Sequence, residues 1–308
     1  MPALFDDTLL DDEEALGRAD AELRPLAEAG ARVRREAVEV GEALERALSL
    51  TDRDARPRAV VAAGPDSRLL RAVLEPWCPV PFVAWPNPSL PGWAGALDLV
   101  IVLAPEGGDM GAASAVAEAI RRGCQVVVAC PKHSVVSEHA VGRHTTLLPA
   151  DSGDQLATAV VMLQFLSRVG LGPDTEPETV AQALDDVAVS CSPFVAQTDN
   201  PAKLLAIALA DSTPILWGGS VLAARAARRI AESIRRSSGR AALAADAEHL
   251  LPILKSATQR DVFADPFADS EGEPAEFGPC LVILEDGSEE STIREARGRL
   301  VVAATDRA

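Results

Sequence analysis

The stretch from Pro214 to Arg235 holds the residues best spaced for chemistry. An apolar run meets Trp217-Gly218-Gly219-Ser220, and a helical pattern carrying Arg225, Glu232 and Arg235 follows. Strand, glycine turn and helix is the arrangement that aims free backbone N–H groups at an anion. Glu232 lies two helical turns beyond Arg225, so the two share a face, and Arg235 is one turn further on. A lone carboxylate flanked by arginines, beside a phosphate-suited turn, has the parts for proton transfer on a phosphorylated substrate. The plain alternative is a solvated helix glutamate paired with Arg228, Arg229 or Arg235.

The surrounding pattern supplies elements to hold such a site. Residues 11 to about 50 are rich in Ala, Glu, Leu and Arg, and predict one or two amphipathic helices interrupted at Gly17 and Gly30. Short apolar runs at 59–63, 80–85, 98–103, 125–129 and 145–148 then alternate with helical patterns at 67–74, 111–122, 134–140 and 153–169. Continuous apolar strands between helices predict a parallel sheet covered on both faces. Residues 170–174 read as a linker, followed by helices over 176–189 and 200–210. A second α/β set follows, with strands expected at 214–217, 241–245, 281–285 and 300–303, and an acidic surface loop at 263–277. The expected division is an N-terminal helical segment 1–50, a first α/β domain 51–170 and a second 175–308.

Composition narrows the function. The net charge of −17 argues against nucleic-acid binding, which needs a basic face, but leaves room for a local arginine pocket that takes a small phosphate. No apolar stretch is long enough to span a bilayer, and the start Met1-Pro-Ala-Leu-Phe-Asp-Asp-Thr has no signal-peptide pattern, so a cytoplasmic protein is expected. The five cysteines are odd in number and lack ligand spacing, which predicts free, mostly buried thiols and no metal. No organic cofactor is expected either. Trp77, Trp85 and Trp93 lie among prolines in what reads as a stiff, partly buried loop or a recognition surface.

The 214–235 stretch resembles the second half of the bifunctional phosphoglucose/phosphomannose isomerases, which are sugar isomerase (SIS) domain proteins. Their helix reads Arg, any residue, Lys, three residues, Asn-Glu, any residue, Ala-Lys. On this chain the Arg falls at Arg225, the Glu at Glu232 and the final Lys at Arg235, while the family Lys and Asn fall on Ala227 and Ala231. Asn200-Pro-Ala-Lys203, an apolar helix and then Trp217-Gly-Gly follow the family order, and Phe5-Asp-Asp-Thr-Leu-Leu-Asp-Asp resembles its actinobacterial branch. The resemblance covers nearly the whole chain and implies two tandem SIS-like doubly wound parallel-sheet domains, preceded by the helical segment.

Other family motifs are altered. The first phosphate loop, Gly-Gly-Ser, meets Gly64-Pro65-Asp66-Ser67, where Ser67 holds the matching place and Asp66 opposes a dianion. The plain alternative is that Asp66 or Ser67 caps the next helix. The second loop, Ser-any-Ser-Gly-Asn-Thr-Glu-Glu, meets Ala104-Pro-Glu-Gly-Gly-Asp-Met110, with its hydroxyls gone. The family ring-opening His stands in Pro-Glu-any-any-His-Asn. Here Glu248 matches the Glu, the His register falls on Leu251, and His249 sits two residues early. With a last strand expected at 300–303 and the sequence running to Ala308, no counterpart is expected for the active-site lysine that the family carries on a terminal helix. His133, His139 and His144, around Lys132 and Arg143, are expected near one another as ligand neighbours and not as a metal site.

The resemblance implies interconversion of glucose 6-phosphate or mannose 6-phosphate with fructose 6-phosphate through an enediol. Glu232 would shuttle the proton and His249 open the ring. Ser67, Gly218, Gly219, Ser220, Arg225 and Arg235 would hold the hexose phosphate, in a homodimer that needs no cofactor. The altered motifs imply the alternative, a catalytically inactive SIS-fold protein that binds a sugar phosphate or a protein partner and regulates sugar metabolism.

Overall fold

The runs Val-Val-Ala-Ala, Leu-Val-Ile-Val-Leu and Gln-Val-Val-Val-Ala-Cys become adjacent parallel strands, because only a strand covered on both faces tolerates such continuity. The structure is a computed structural model that describes residues 5–51, 56–256, 278–288 and 290–305. The acidic loop expected at 263–277 lies outside the described residues. The chain divides into two compact units, Gly17–Ser192 and a second formed by Met1–Leu16 with Pro193–Ala308.

The N-terminal region forms α1 (Glu13–Ala27), which enters the first unit at Gly17, then α2 (Ala29–Glu39) and α3 (Gly41–Leu50). The breaks fall at Glu28 and Val40; Gly17 and Gly30 sit inside α1 and α2. Next come β1 (Val60–Ala63), α4 (Ser67–Leu74), β2 (Phe82–Trp85), β3 (Leu99–Leu103), α5 (Met110–Arg121), β4 (Gln125–Cys130), α6 (Val135–His139), β5 (Thr145–Pro149) and α7 (Gln155–Arg168). The five strands are parallel in the order β2-β1-β3-β4-β5, a doubly wound sheet. Alternate strand residues feed two cores. Val60, Ile101 and Val127 meet Leu44, Leu70 and Leu166 on one face, and Val61, Val102 and Val128 meet Ala115 and Val136 on the other. After α7 the chain enters α8 (Pro177–Ser190), which packs Ala181 against Val33 of α2. Arg34 ties the same pair by ion pairs to Glu178 at 2.8 Å and Asp185 at 2.6 Å.

Asp98, fully buried before β3, is the unit's most confined carboxylate. It accepts from Arg58 at 2.9 and 2.6 Å and from the Gly95 N–H at 2.8 Å. Burial pushes its carboxyl upward, but the Arg58 bonds and the Gly95 N–H together outweigh this and hold it below the ordinary range.

The second unit contains α9 (Pro201–Ala210), β6 (Ser212–Gly218), α10 (Val221–Ser238), β7 (Leu243–Ala244), α11 (Ala247–Ser256), β8 (Gly278–Leu284) and α12 (Ser291–Thr305). Its three strands are parallel in the order β7-β6-β8. One face packs Leu216 on Ala227 and Ala231 of α10; the other packs Ile215 and Trp217 on Leu250 and Leu300 of α11 and α12. The strand expected at 300–303 is instead part of α12. Leu300 and Ala303 are buried while Val301 and Val302 are exposed, a spacing of three that belongs to a helix.

The segment from Phe5 to Leu16 is fixed to this unit by one lysine. Lys203 is only 7% exposed, and its Nζ donates to Asp11 at 2.7 Å and to the carbonyls of Pro193 and Val195 at 2.7 and 3.0 Å. The lysine bond lowers the Asp11 carboxyl from its ordinary range. Asn200 caps α9 through the N–H groups of Ala202 and Lys203, which aims the lysine inward.

Candidate functional site

In a doubly wound sheet the crevice lies past the carboxyl ends of the strands where the winding reverses. In the first unit this point is between β1 and β3, so it is bounded by Gly64–Ser67 and by the loop from Ala104 to Asp109. The first loop does not cap α4: neither Asp66 nor Ser67 makes a side-chain capping bond, contrary to the capping expectation. Asp66 accepts instead from the Gln155 side chain at the start of α7. Ser67 is 1% exposed, and its hydroxyl has no hydrogen-bond partner among the described residues.

The second loop places Asp109 at the N-cap of α5, where it accepts from the Ala112 N–H at 2.6 Å. The helix end that would attract a phosphate is thereby satisfied by the chain's own carboxylate. Gly107 has φ +69°, and a Cβ there would stand 2.3 Å from Ser134 Cβ. The glycine is required by that close approach, independently of any ligand.

The second unit repeats the design at the β6/β8 boundary. Ser220 caps α10 through the Ala223 N–H at 3.0 Å, and its hydroxyl donates to Asp286, which follows β8. A Cβ on Gly218 would meet the Ala223 carbonyl carbon at 2.2 Å, and one on Gly219 would meet Ile293 Cγ2 at 2.4 Å. Both glycines therefore let the turn pack tightly. Asp286 is the residue that sequence reasoning passed over. The signal was present: Glu285-Asp286-Gly287 after an apolar run marks a strand-end turn.

Glu232 and Arg225 are on one face of α10, as their spacing predicts. The Glu232 carboxylate lies 3.8 Å from Arg225 and 3.7 Å from Arg229, with its side chain 36% exposed. The helix buries Ala223, Ala227 and Ala231 on its opposite side. Ala227 and Ala231, at the family Lys and Asn positions, thus face the sheet. Arg235 turns elsewhere and donates to the Ala242 carbonyl at 2.7 Å, bracing the approach to β7. His249 is exposed in the first turn of α11, beside the Glu248–Arg299 ion pair of 2.7 Å. No hydrogen bond or ion pair connects His249 with Glu232 among the described residues.

The expected histidine group does not assemble. His133 follows β4 and His144 precedes β5, and because these strands are parallel the two lie at opposite ends of the sheet. His139 bonds the Val135 carbonyl at 2.9 Å at the end of α6. Among the described residues no three His, Cys, Asp or Glu side chains gather into a metal site. Cys124 and Cys130 are buried free thiols, and burial pushes both up from the ordinary range. Trp85 lies in β2, while Trp77 and Trp93 are exposed and Arg58 sits 5.9 Å above the Trp93 ring. No described helix is long and apolar enough to cross a membrane.

No family model and no curated protein sequence matches the chain. Solved structures do. A protein described as a phosphosugar isomerase from Silicibacter pomeroyi aligns with TM-score 0.58 and 17% identity, over 91% of this chain and 83% of its own. The tagatose-6-phosphate ketose/aldose isomerase of Escherichia coli aligns with TM-score 0.57 and 16% identity, over 92% and 77%. The C-terminal domain of glucosamine-fructose-6-phosphate aminotransferase from Francisella tularensis aligns with TM-score 0.57 and 12% identity, over 92% and 80%. At these identities the likeness speaks for the fold alone. Two parallel doubly wound units, aligned with these structures over nine-tenths of the chain, give it the sugar isomerase (SIS) fold.

Proposed function

We propose that this is a SIS-fold protein of the phosphoglucose/phosphomannose isomerase type that binds a hexose phosphate or related carbohydrate derivative without isomerising it. The observation that carries the reading is the Asp286 carboxylate on the Ser220 hydroxyl, at the glycine turn an isomerase would offer to phosphate. Asp109 does the same to the N-terminus of α5. Carboxylates in both crevices oppose a dianion and accept well from sugar hydroxyls, so binding runs through the hydroxyls of the ligand.

A second reading keeps catalysis, and the Arg225–Glu232–Arg229 cluster favours it. A base there would take a proton from one carbon of the sugar and return it to the next, with His249 serving ring opening. Calorimetry of the intact protein with glucose, mannose and fructose 6-phosphates, alongside a coupled isomerase assay, separates the two. Binding with no turnover is expected. Turnover that disappears in Glu232→Gln would establish the second reading instead, and absence of both binding and turnover would contradict both.

A further inference from the structure

A cavity of about 260 Å³ opens in the first unit at the edge where β3, β4 and β5 begin, the end opposite the crevice loops. Six strand residues separate the two ends along β4, roughly 20 Å. The cavity floor is apolar, made by Leu99, Phe165 and Leu171. Its polar wall carries Arg56, Arg143 and His144, and no Asp or Glu contributes to the described lining. That is unusual in a chain with 46 acidic and 29 basic residues. Its other structural arginines are spoken for: Arg58 by Asp98, Arg122 by Glu118 and Arg32 by Asp154. Arg56 and Arg143 make no hydrogen bond or ion pair with a described residue. Thr145 and Thr146, at the start of β5, complete the lining.

We infer that this cavity is a second ligand site, one that takes a small amphipathic anion with its carboxylate or phosphate on Arg56 and Arg143 and its apolar body on the Phe165 floor. The guanidiniums supply charge-assisted donors, and the floor gains by leaving water. Its distance from both faces of the β1/β3 crevice makes the occupant an effector and not a substrate of that crevice.

The test is fluorescence titration of the intact protein with 8-anilinonaphthalene-1-sulfonate, an amphipathic anion that brightens on apolar surfaces. Hexanoate, 1-hexanol and inorganic phosphate serve as competitors. Saturable binding is expected, displaced by hexanoate and at least about tenfold less effectively by 1-hexanol. Arg56→Gln and Arg143→Gln should each weaken hexanoate binding about tenfold, the effect of losing one charged hydrogen bond, while Arg236→Gln leaves it unchanged. Both cavity arginines are exposed, so equal melting temperatures will show that the variants fold. Displacement by phosphate as strong as by hexanoate would identify a free phosphate as the occupant's head group and keep the site. Absence of saturable binding, or binding that both arginine variants retain, would overturn it.

Discussion

Asp286 changes what the Gly218-Gly219-Ser220 turn can do. Read alone, the turn offers backbone N–H groups to an anion; with a carboxylate hydrogen-bonded to Ser220 it repels one. Asp286→Asn should therefore weaken calorimetric binding of glucose 6-phosphate, whose hydroxyls lose a charged acceptor, while tightening that of inorganic phosphate about three- to tenfold, the scale of removing one nearby like charge in a partly solvated site. Unchanged affinity would mean the ligand stays out of reach of this residue. Asp98 belongs to stability. Asp98→Ala strands the Gly95 N–H and the Arg58 guanidinium, and should cost about 2–3 kcal/mol in urea denaturation. Its folded carboxyl is held low, as is that of Glu118, which Arg121 and Arg122 bring to about 2. The unfolded chain then binds protons first, so their stabilisation is complete above the ordinary carboxylate range near about pH 4 and is lost as pH falls towards about 2. Melting curves should show a steep loss through that window in wild type and a shallower one in Asp98→Ala.

The central strands β1, β3 and β4 of the first sheet were legible because they are buried on both faces and so write themselves as near-unbroken apolar runs. The same rule misleads at 300–303, where Leu-Val-Val-Ala is apolar throughout but only Leu300 and Ala303 meet the core. Four apolar residues carry too little pattern to separate the two periods. The histidines near β4 and β5 failed for another reason: a parallel crossover returns the chain to the starting edge, so neighbours in sequence separate in space. Asp66 was out of reach too, since its partner Gln155 lies 89 residues away. The glycine turn gives a prediction at this scale. Gly218→Ala forces a Cβ to 2.2 Å from the Ala223 backbone, so β6 or α10 must shift. A loss of about 1–3 kcal/mol is expected in denaturant unfolding, and a neutral result would show that the turn is looser than described.

For the molecule as a whole, chain order and fold were readable, while the chemistry of the crevices was not. The alternation of apolar runs and amphipathic stretches specifies two doubly wound sheets, and solved structures at 12–17% identity share that fold. The crevice side chains are set partly by contacts between residues distant in sequence, as with Ser220 and Asp286. The N-terminal segment is a further case: Asp11 is brought to Lys203 across 192 residues, so the start of the chain serves the second unit. Lys203→Met should release that segment, and amide hydrogen exchange over residues 5–16 should quicken at least about tenfold. Unchanged protection there would show that other contacts hold it.

The most direct test of the central claim is a coupled assay with fructose 6-phosphate, following glucose 6-phosphate and mannose 6-phosphate separately, on the wild-type protein and Glu232→Gln. No turnover in either protein, with calorimetric binding retained in both, is the predicted result. Wild-type turnover abolished by Glu232→Gln would contradict it and make this chain an isomerase with a rebuilt phosphate site.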